Sequence, residues 1–153
     1  DVKAVLSAVE SGKLERYITD FPSEELIGVP NVICVPHLGA STPEAEDNCA
    51  AMAARELVDY IENGNITHSV NFPDVCSPRT SAARACIMHK NEEGVISKIT
   101  TIISSANINI ADLQDKSKKE MAYMIVDLDQ PLPEAVIEEI KKLNCVIRVR
   151  IFA

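Results

Sequence analysis

The sequence predicts an α/β protein in two parts. A partial doubly wound parallel sheet, with helices packed on it, occupies residues 1–72. A linker over 73–81 leads to a ferredoxin-like βαββαβ domain over 82–153. Three observations predict this. An apolar run, NVICV, precedes a strongly capped helix, as in a slice of a parallel sheet. The segment PDVCSPRTS has the two prolines and polar residues of a connector. Beyond it, two stretches of helical period sit among four strand-like ones in the order βαββαβ.

The opening helix spans 2–11, because Val2, Val5, Leu6 and Val9 recur at helical spacing and Gly12 stops the run. A helix that starts at once behind Asp1 reads as a segment of a longer protein. The β-formers of 15–21 (ERYITDF) give a short strand broken by Pro22. After the polar loop PSEELIGVP, 31–35 gives a strand whose unbroken apolar character suits a buried parallel position. Thr42-Pro43 starts the longest helix: threonine caps open N–H groups and proline tolerates the first turn. Glu44, Glu46 and Asp47 suit its positive end, the spacing of Ala45, Cys49, Met52, Ala53, Leu57, Tyr60 and Ile61 gives one apolar face, and Gly64 ends it. The stretch ITHSVNFP is extended. In the second domain, 82–89 is a strand, and Val95, Ile96, Ile99, Ile102, Ile103 and Ala106 mark one face of a helix, with Ile99, Ile102 and Ile103 read as core. A strand over 108–113, a charged turn over 116–120 (KSKKE) and a strand over 121–128 follow. A helix opened by Pro133 and an alternating strand over 146–152 complete the domain.

Composition narrows the function. Fifteen basic against 23 acidic residues give a net charge of −8, which repels phosphate backbones and anionic lipid heads. Neither nucleic acid nor membrane is therefore an expected partner. No apolar run reaches the roughly 20 residues of a membrane span. The five cysteines are scattered without a Cys-x-x-Cys pair, and the three histidines lie far apart. No metal site is expected; reduced thiols in a cytoplasmic protein are. With glycines only at 12, 28, 39, 64 and 94, no dinucleotide loop or phosphate loop can be written.

His37 is the first candidate for chemistry. It follows a strand through Pro36 and precedes the capped helix, which places it at the carboxyl end of a parallel strand, where open α/β sheets bind ligands. A histidine there can act as general acid or base, or simply brace the loop. Glu24 and Glu25 stand in the neighbouring loop, within reach of the same edge, and a carboxylate beside the imidazole would fix its tautomer.

The run NVICVPHLGASTPEAEDNCAAMAARELVDYIENGNITHSVNFP resembles the D-2-hydroxyacid dehydrogenases, most closely the branch acting on 3-phosphoglycerate. The Pro-His-Leu-Gly-Ala-Ser-Thr motif, the long helix and the SVNFP that follows carry the resemblance. AVLSAVESGKLERYITDFP resembles the segment before that family's catalytic glutamate. The resemblance implies an arginine–glutamate–histidine catalytic set with bound NAD. His37 matches the histidine that exchanges a proton with the substrate 2-hydroxyl. Glu25 by ungapped counting, or Glu24 by aligning Phe21-Pro22, matches the glutamate, although DFPSEEL departs from the usual wording. The arginine and the NAD loop lie upstream in the family, so this chain alone is expected to be inactive.

The second domain resembles the ACT module, a small-molecule regulatory domain often fused to such dehydrogenases. The residues point to the same place. Met88 to Val95 joins a strand to a helix, where the N–H groups of Gly94 and Val95 suit a carboxylate. The side-chain oxygens of Asn91 and Asn109 suit an ammonium group. His89, Asn91 and Asn109 match the positions that contact serine across paired ACT domains in serine-sensitive members, while Glu92-Glu93 replaces their usual Arg-Pro. The resemblance implies L-serine as effector and a homodimer or higher homo-oligomer. An assembly role without ligand, or a different 2-hydroxy acid as substrate, remain the alternatives. His68 reads as a surface or packing residue. The strands of the first 40 residues lack sheet partners within this chain, so they are expected to be exposed, repacked, disordered or paired between chains.

Overall fold

The computed structural model describes residues 1–81 and 83–152. Ala82, expected to open a strand, and Ala153 lie outside the described residues. Two compact units form, Asp1–Ala51 and Met52–Ala153, with the second long helix running through the division.

In the first unit, α1 (Val2–Glu10) begins where the Asp1 carboxylate accepts from the Lys3 N–H at 3.0 Å, an N-cap no sequence spacing reveals. Two three-residue strands follow, β1 (Tyr17–Thr19) and β2 (Val32–Cys34), paired in parallel with Ile18 opposite Ile33. A 3-10 turn at Glu24–Leu26 tucks Leu26 inside. The apolar run of 31–35 is not the buried strand its composition implies. Among the described residues β2 has β1 as its single strand neighbour, and Ile33 and Val35 are exposed. Ile18 and Phe21 are exposed as well, although β1 and β2 pair with each other rather than standing without partners as expected.

α2 (Pro43–Asn63) starts as expected: Thr42 Oγ1 accepts from the Ala45 N–H at 3.2 Å, and the acidic first turn meets the positive end of the dipole. Gly64, at φ +74°, ends it. No α2 residue is buried, and Met52, Leu57, Val58 and Ile61 all face solvent. The apolar face read from the spacing exists, but much of it lies uncovered.

The second unit holds β3 (Ala83–Lys90), α3 (Val95–Ser105), β4 (Ile110–Lys118), β5 (Met121–Leu128), α4 (Glu134–Lys141) and β6 (Val146–Phe152). The order is βαββαβ, and the strands lie antiparallel as β4-β5-β3-β6. Alternation along β3 sends Ala85 and Ile87 to the helix side. There they meet Met124 and Val126 of β5, Ile99 and Ile103 of α3, and Ile137 and Ile140 of α4. The charged run 116–120 is not a turn throughout. Lys116, Ser117 and Lys118 extend β4, and only Lys119 and Glu120 turn, Lys119 at φ +58°. β4 therefore also starts later than 108.

The sheet's other face is covered by an arm running from the end of α2. Ile66 and Val75 bridge in both directions at 2.9 Å, and they pack with Cys86, Tyr123, Ile125 and Phe152. Residues 73–81, read as a linker, thus carry the fully buried Val75 and the buried Ser77. No helix among the described residues is long and apolar enough to cross a membrane.

Candidate functional site

Two places bring the sequence-derived residues to the surface. In the first unit, His37 Nδ1 lies 2.8 Å from Asp20 Oδ2, and the Phe21 ring stands edge-on to the imidazole at 5.8 Å. A carboxylate accepts, so this contact selects the tautomer protonated at Nδ1 and leaves Nε2 with a lone pair. Both side chains are exposed, at 64% and 54%, so the imidazole stays open to a reactant. The carboxylate on His37 is Asp20. Glu24 and Glu25 lie in the 3-10 turn and make no hydrogen bond to His37 among the described residues. The sequence signal for Asp20 is its place directly after β1 and just before Phe21.

In the second unit, β3 ends at the loop carrying Asn91 and Gly94. Gly94 sits at φ +75° and precedes α3 without any side-chain cap. The first-turn N–H groups, including that of Val95, are left for an external acceptor. Asn91 Nδ2 donates to the Lys119 carbonyl at 3.1 Å, which pins the amide at the β4–β5 turn and leaves Oδ1 as an acceptor. Glu92 is exposed and lies 4.0 Å from Lys90 Nζ, so its charge faces solvent and a cation. A cleft of about 440 Å³ opens here between Asn91, Glu92, Lys119, Glu120 and Ile147.

His89 is almost fully buried and both its ring nitrogens are engaged. Nδ1 meets the Lys90 carbonyl at 2.8 Å, and Nε2 meets Asp115 Oδ1 at 3.0 Å. Its neighbour in register is Ala122, whose methyl leaves space for the imidazole to reach across β5 to β4. A carbonyl and a carboxylate both accept, so this geometry favours the ring protonated at both nitrogens. Burial opposes that charge, but the Asp115 carboxylate and the Lys90 carbonyl outweigh it and raise the pKa above its ordinary value.

Asn109 lies elsewhere. Ile110 pairs with Leu128, and Leu128 with Ala83, so Asn109 sits at the far end of the sheet from His89 and Asn91. About eight residues of strand, roughly 25 Å, separate them. One chain does not bring the three together.

A buried cluster on the arm side escaped the sequence reading. Arg84 is wholly buried and uses all five N–H donors. Nε and Nη2 grip Asp127 at 2.6 and 2.8 Å. Nη1 reaches the carbonyls of Asn63 and Ser77, and Nη2 also reaches that of Pro78, at 2.9 to 3.0 Å. Tyr123 Oη donates to the Gly64 carbonyl at 2.6 Å. Arg150 binds the Tyr60 and Ile61 carbonyls and stacks on Tyr60 and Phe152. The signal was present: Arg84 interrupts the apolar run ARACIM, and Asp127 is the single charge in β5. Among the described residues, no group of three or more His, Cys, Asp or Glu side chains is placed to hold a metal.

Residues 86–148 match the family model described as the AHAS small subunit-like ACT domain, so the chain contains an ACT domain. Over 99% of its length the chain is 32% identical to D-3-phosphoglycerate dehydrogenase of Haemophilus influenzae. It is 30% identical, again over 99%, to that of Escherichia coli. The similarity to D-3-phosphoglycerate dehydrogenases therefore runs through both units. The chain spans about 40% of the length of these relatives. A solved ACT domain from GTP pyrophosphokinase of Chlorobium tepidum is 17% identical and aligns with 46% of this chain and 95% of its own, at a TM-score of 0.39.

Proposed function

We propose that this chain is the C-terminal portion of a NAD-dependent D-3-phosphoglycerate dehydrogenase, with its catalytic histidine and an amino-acid-sensing ACT domain. The parent enzyme oxidises 3-phosphoglycerate to 3-phosphohydroxypyruvate in the cytoplasm, for serine synthesis. The observation that carries this reading is the continuous similarity across both units to relatives of that name. The chain's own part in the reaction is proton transfer. With Nδ1–H held by Asp20, His37 Nε2 accepts the proton of the substrate 2-hydroxyl as the hydride leaves. Glu24 and Glu25 remain the candidates for the family's glutamate; with Asp20 on Nδ1, either would have to take Asp20's place there. NAD supplies the hydride acceptor. No residue set here suits it, since the five glycines stand apart, so its binding belongs to the rest of the parent protein. The purified chain should show no NAD-dependent oxidation; turnover above background would contradict the assignment.

The regulatory role rests on the ACT domain. An α-amino acid carboxylate sits at the uncapped α3 N-terminus, on the N–H groups of Gly94 and Val95, and its ammonium meets Asn91 Oδ1. His89, with both nitrogens engaged, contributes positive charge and holds the end of β3 rather than touching ligand. Asn109 enters from a second copy. β4 is an edge strand, and two-fold antiparallel pairing of two β4 edges sets the start of one against the Lys118 end of the other. That places one chain's Asn109 beside the partner copy's Asn91 loop. L-serine, small and polar, is the first effector to test. Calorimetric titration should give saturable heat with L-serine, none with D-serine, and none after Asn109→Ala. A folded dimer that ignores L-serine would favour the assembly role.

A further inference from the structure

On the opposite face of the sheet from the α3 site, the arm and the C-terminal half of α2 border an open hollow of about 470 Å³. Leu57, Tyr60, Ile66, Phe72 and Met88 form its apolar walls. The hollow is held open by polar ties rather than left by loose packing. His68 Nδ1 meets Glu56 at 2.6 Å and ties the arm to the helix. Asn65 grips both Asp59 oxygens at 3.1 Å, and Lys118 Nζ holds the Ser69 carbonyl at 2.9 Å. Closing the hollow would break these bonds.

Its rim has hydrogen-bonding capacity to spare. Ser69 Oγ accepts from the Phe72 N–H at 3.1 Å and keeps its own donor. Among the described residues, the Thr67 hydroxyl and the Asn71 amide have no side-chain hydrogen bond, and only one Glu56 oxygen is bonded. Among the described residues, Glu56 is also the sole charged one lining the hollow. The His68 imidazole on one Glu56 oxygen, the Lys118 ammonium on the Ser69 carbonyl and the Arg150 guanidinium over the Tyr60 ring stand around the rim, and the second Glu56 oxygen is left to a ligand donor. A ligand ammonium would meet that carboxylate oxygen, polar side-chain atoms and the Phe72 ring.

We propose that this hollow is a second small-molecule site, built for an organic ammonium compound with an aromatic or branched aliphatic body. The volume suits such a ligand, and so does the pattern of apolar walls with a few polar atoms on one side. The ammonium binds the open Glu56 oxygen with Asn71 or Thr67, and the body lies between Phe72, Leu57 and Met88. This is independent of the serine reading, because the two sites lie on opposite faces of one sheet.

The test is titration of the ¹⁵N-labelled chain with benzylamine, alongside benzyl alcohol and benzoate. Benzylamine should shift the amides of Thr67, Phe72 and Met88 saturably, and benzoate should leave them unmoved. Glu56→Gln, which keeps shape and removes charge, should weaken benzylamine roughly tenfold. Equal shifts from benzylamine and benzyl alcohol would overturn the proposal, as would no saturable shift at millimolar benzylamine. A second variant, Met88→Phe, narrows the apolar wall, and unchanged benzylamine affinity there would also count against the site.

Discussion

Arg84 ties three segments together with a single side chain. Asp127 lies on the adjacent strand, Asn63 ends α2, and Ser77 and Pro78 belong to the arm. Removing one partner of a buried pair leaves the other charge stranded, a loss of about 3–5 kcal/mol. Arg84→Met should therefore lower the urea midpoint sharply, and adding Asp127→Leu should recover part of the loss. A midpoint unchanged by Arg84→Met would contradict the clasp. His89 gives a pH signature. Its folded pKa lies above the ordinary 6.5, so the stability it contributes is complete below the unfolded value. That contribution is lost as pH rises through the raised folded value. Asp115→Asn should flatten this decline in a pH series of denaturation midpoints, whereas the mostly exposed His68 should matter little when replaced by alanine. At this scale the sequence was partly legible. Arg84 and Asp127 are visible as isolated charges within ARACIM and MIVDL. Asp115 is not, because DLQDK reads as surface until Ala122 is known to open the space beside His89.

Elements with their own start and stop chemistry were readable from sequence. Thr42-Pro43 and Gly64 bracket α2, and the alternation of VIRVRIF marks β6. Elements defined by what lies beside them were not. The run 31–35 looks buried, but a strand with one neighbour keeps its apolar side chains exposed. Lys116 and Lys118 look like turn residues, yet an edge strand tolerates lysine, and here each ammonium finds an arm carbonyl, those of Asp74 and Ser69. Gly64 shows the same dependence on surroundings. Its φ of +74° marks the helix stop, but a Cβ there would also strike Cys86 Sγ and come within 3.0 Å of the Phe152 ring. Gly64→Ala should cost about 1–3 kcal/mol through strain and overpacking together. A variant with wild-type stability in thermal unfolding would show that the α2–arm junction is looser than described.

For the molecule as a whole, the candidate effector residues divide between the two ends of one sheet. His89 and Asn91 stand where β3 finishes, and Asn109 where β4 begins. The ACT fold was legible as a count of strands and helices, and the three residues were legible by resemblance. Their separation was not, because it follows from register, which pairs Lys90 with Met121 and Ile110 with Leu128. The open edge of β4 and the open N-terminus of α3 are what the proposed two-chain site uses to bring Asn91 and Asn109 together. Complementation between two inactive chains tests this most directly. L-serine binding is measured for Asn91→Ala alone, for Asn109→Ala alone, and for an equal mixture refolded together. The account predicts no binding by either variant, with the mixture regaining about a quarter of the wild-type sites, since each hybrid dimer carries one intact site. A mixture as silent as its components, while the wild type binds L-serine, would contradict the shared site.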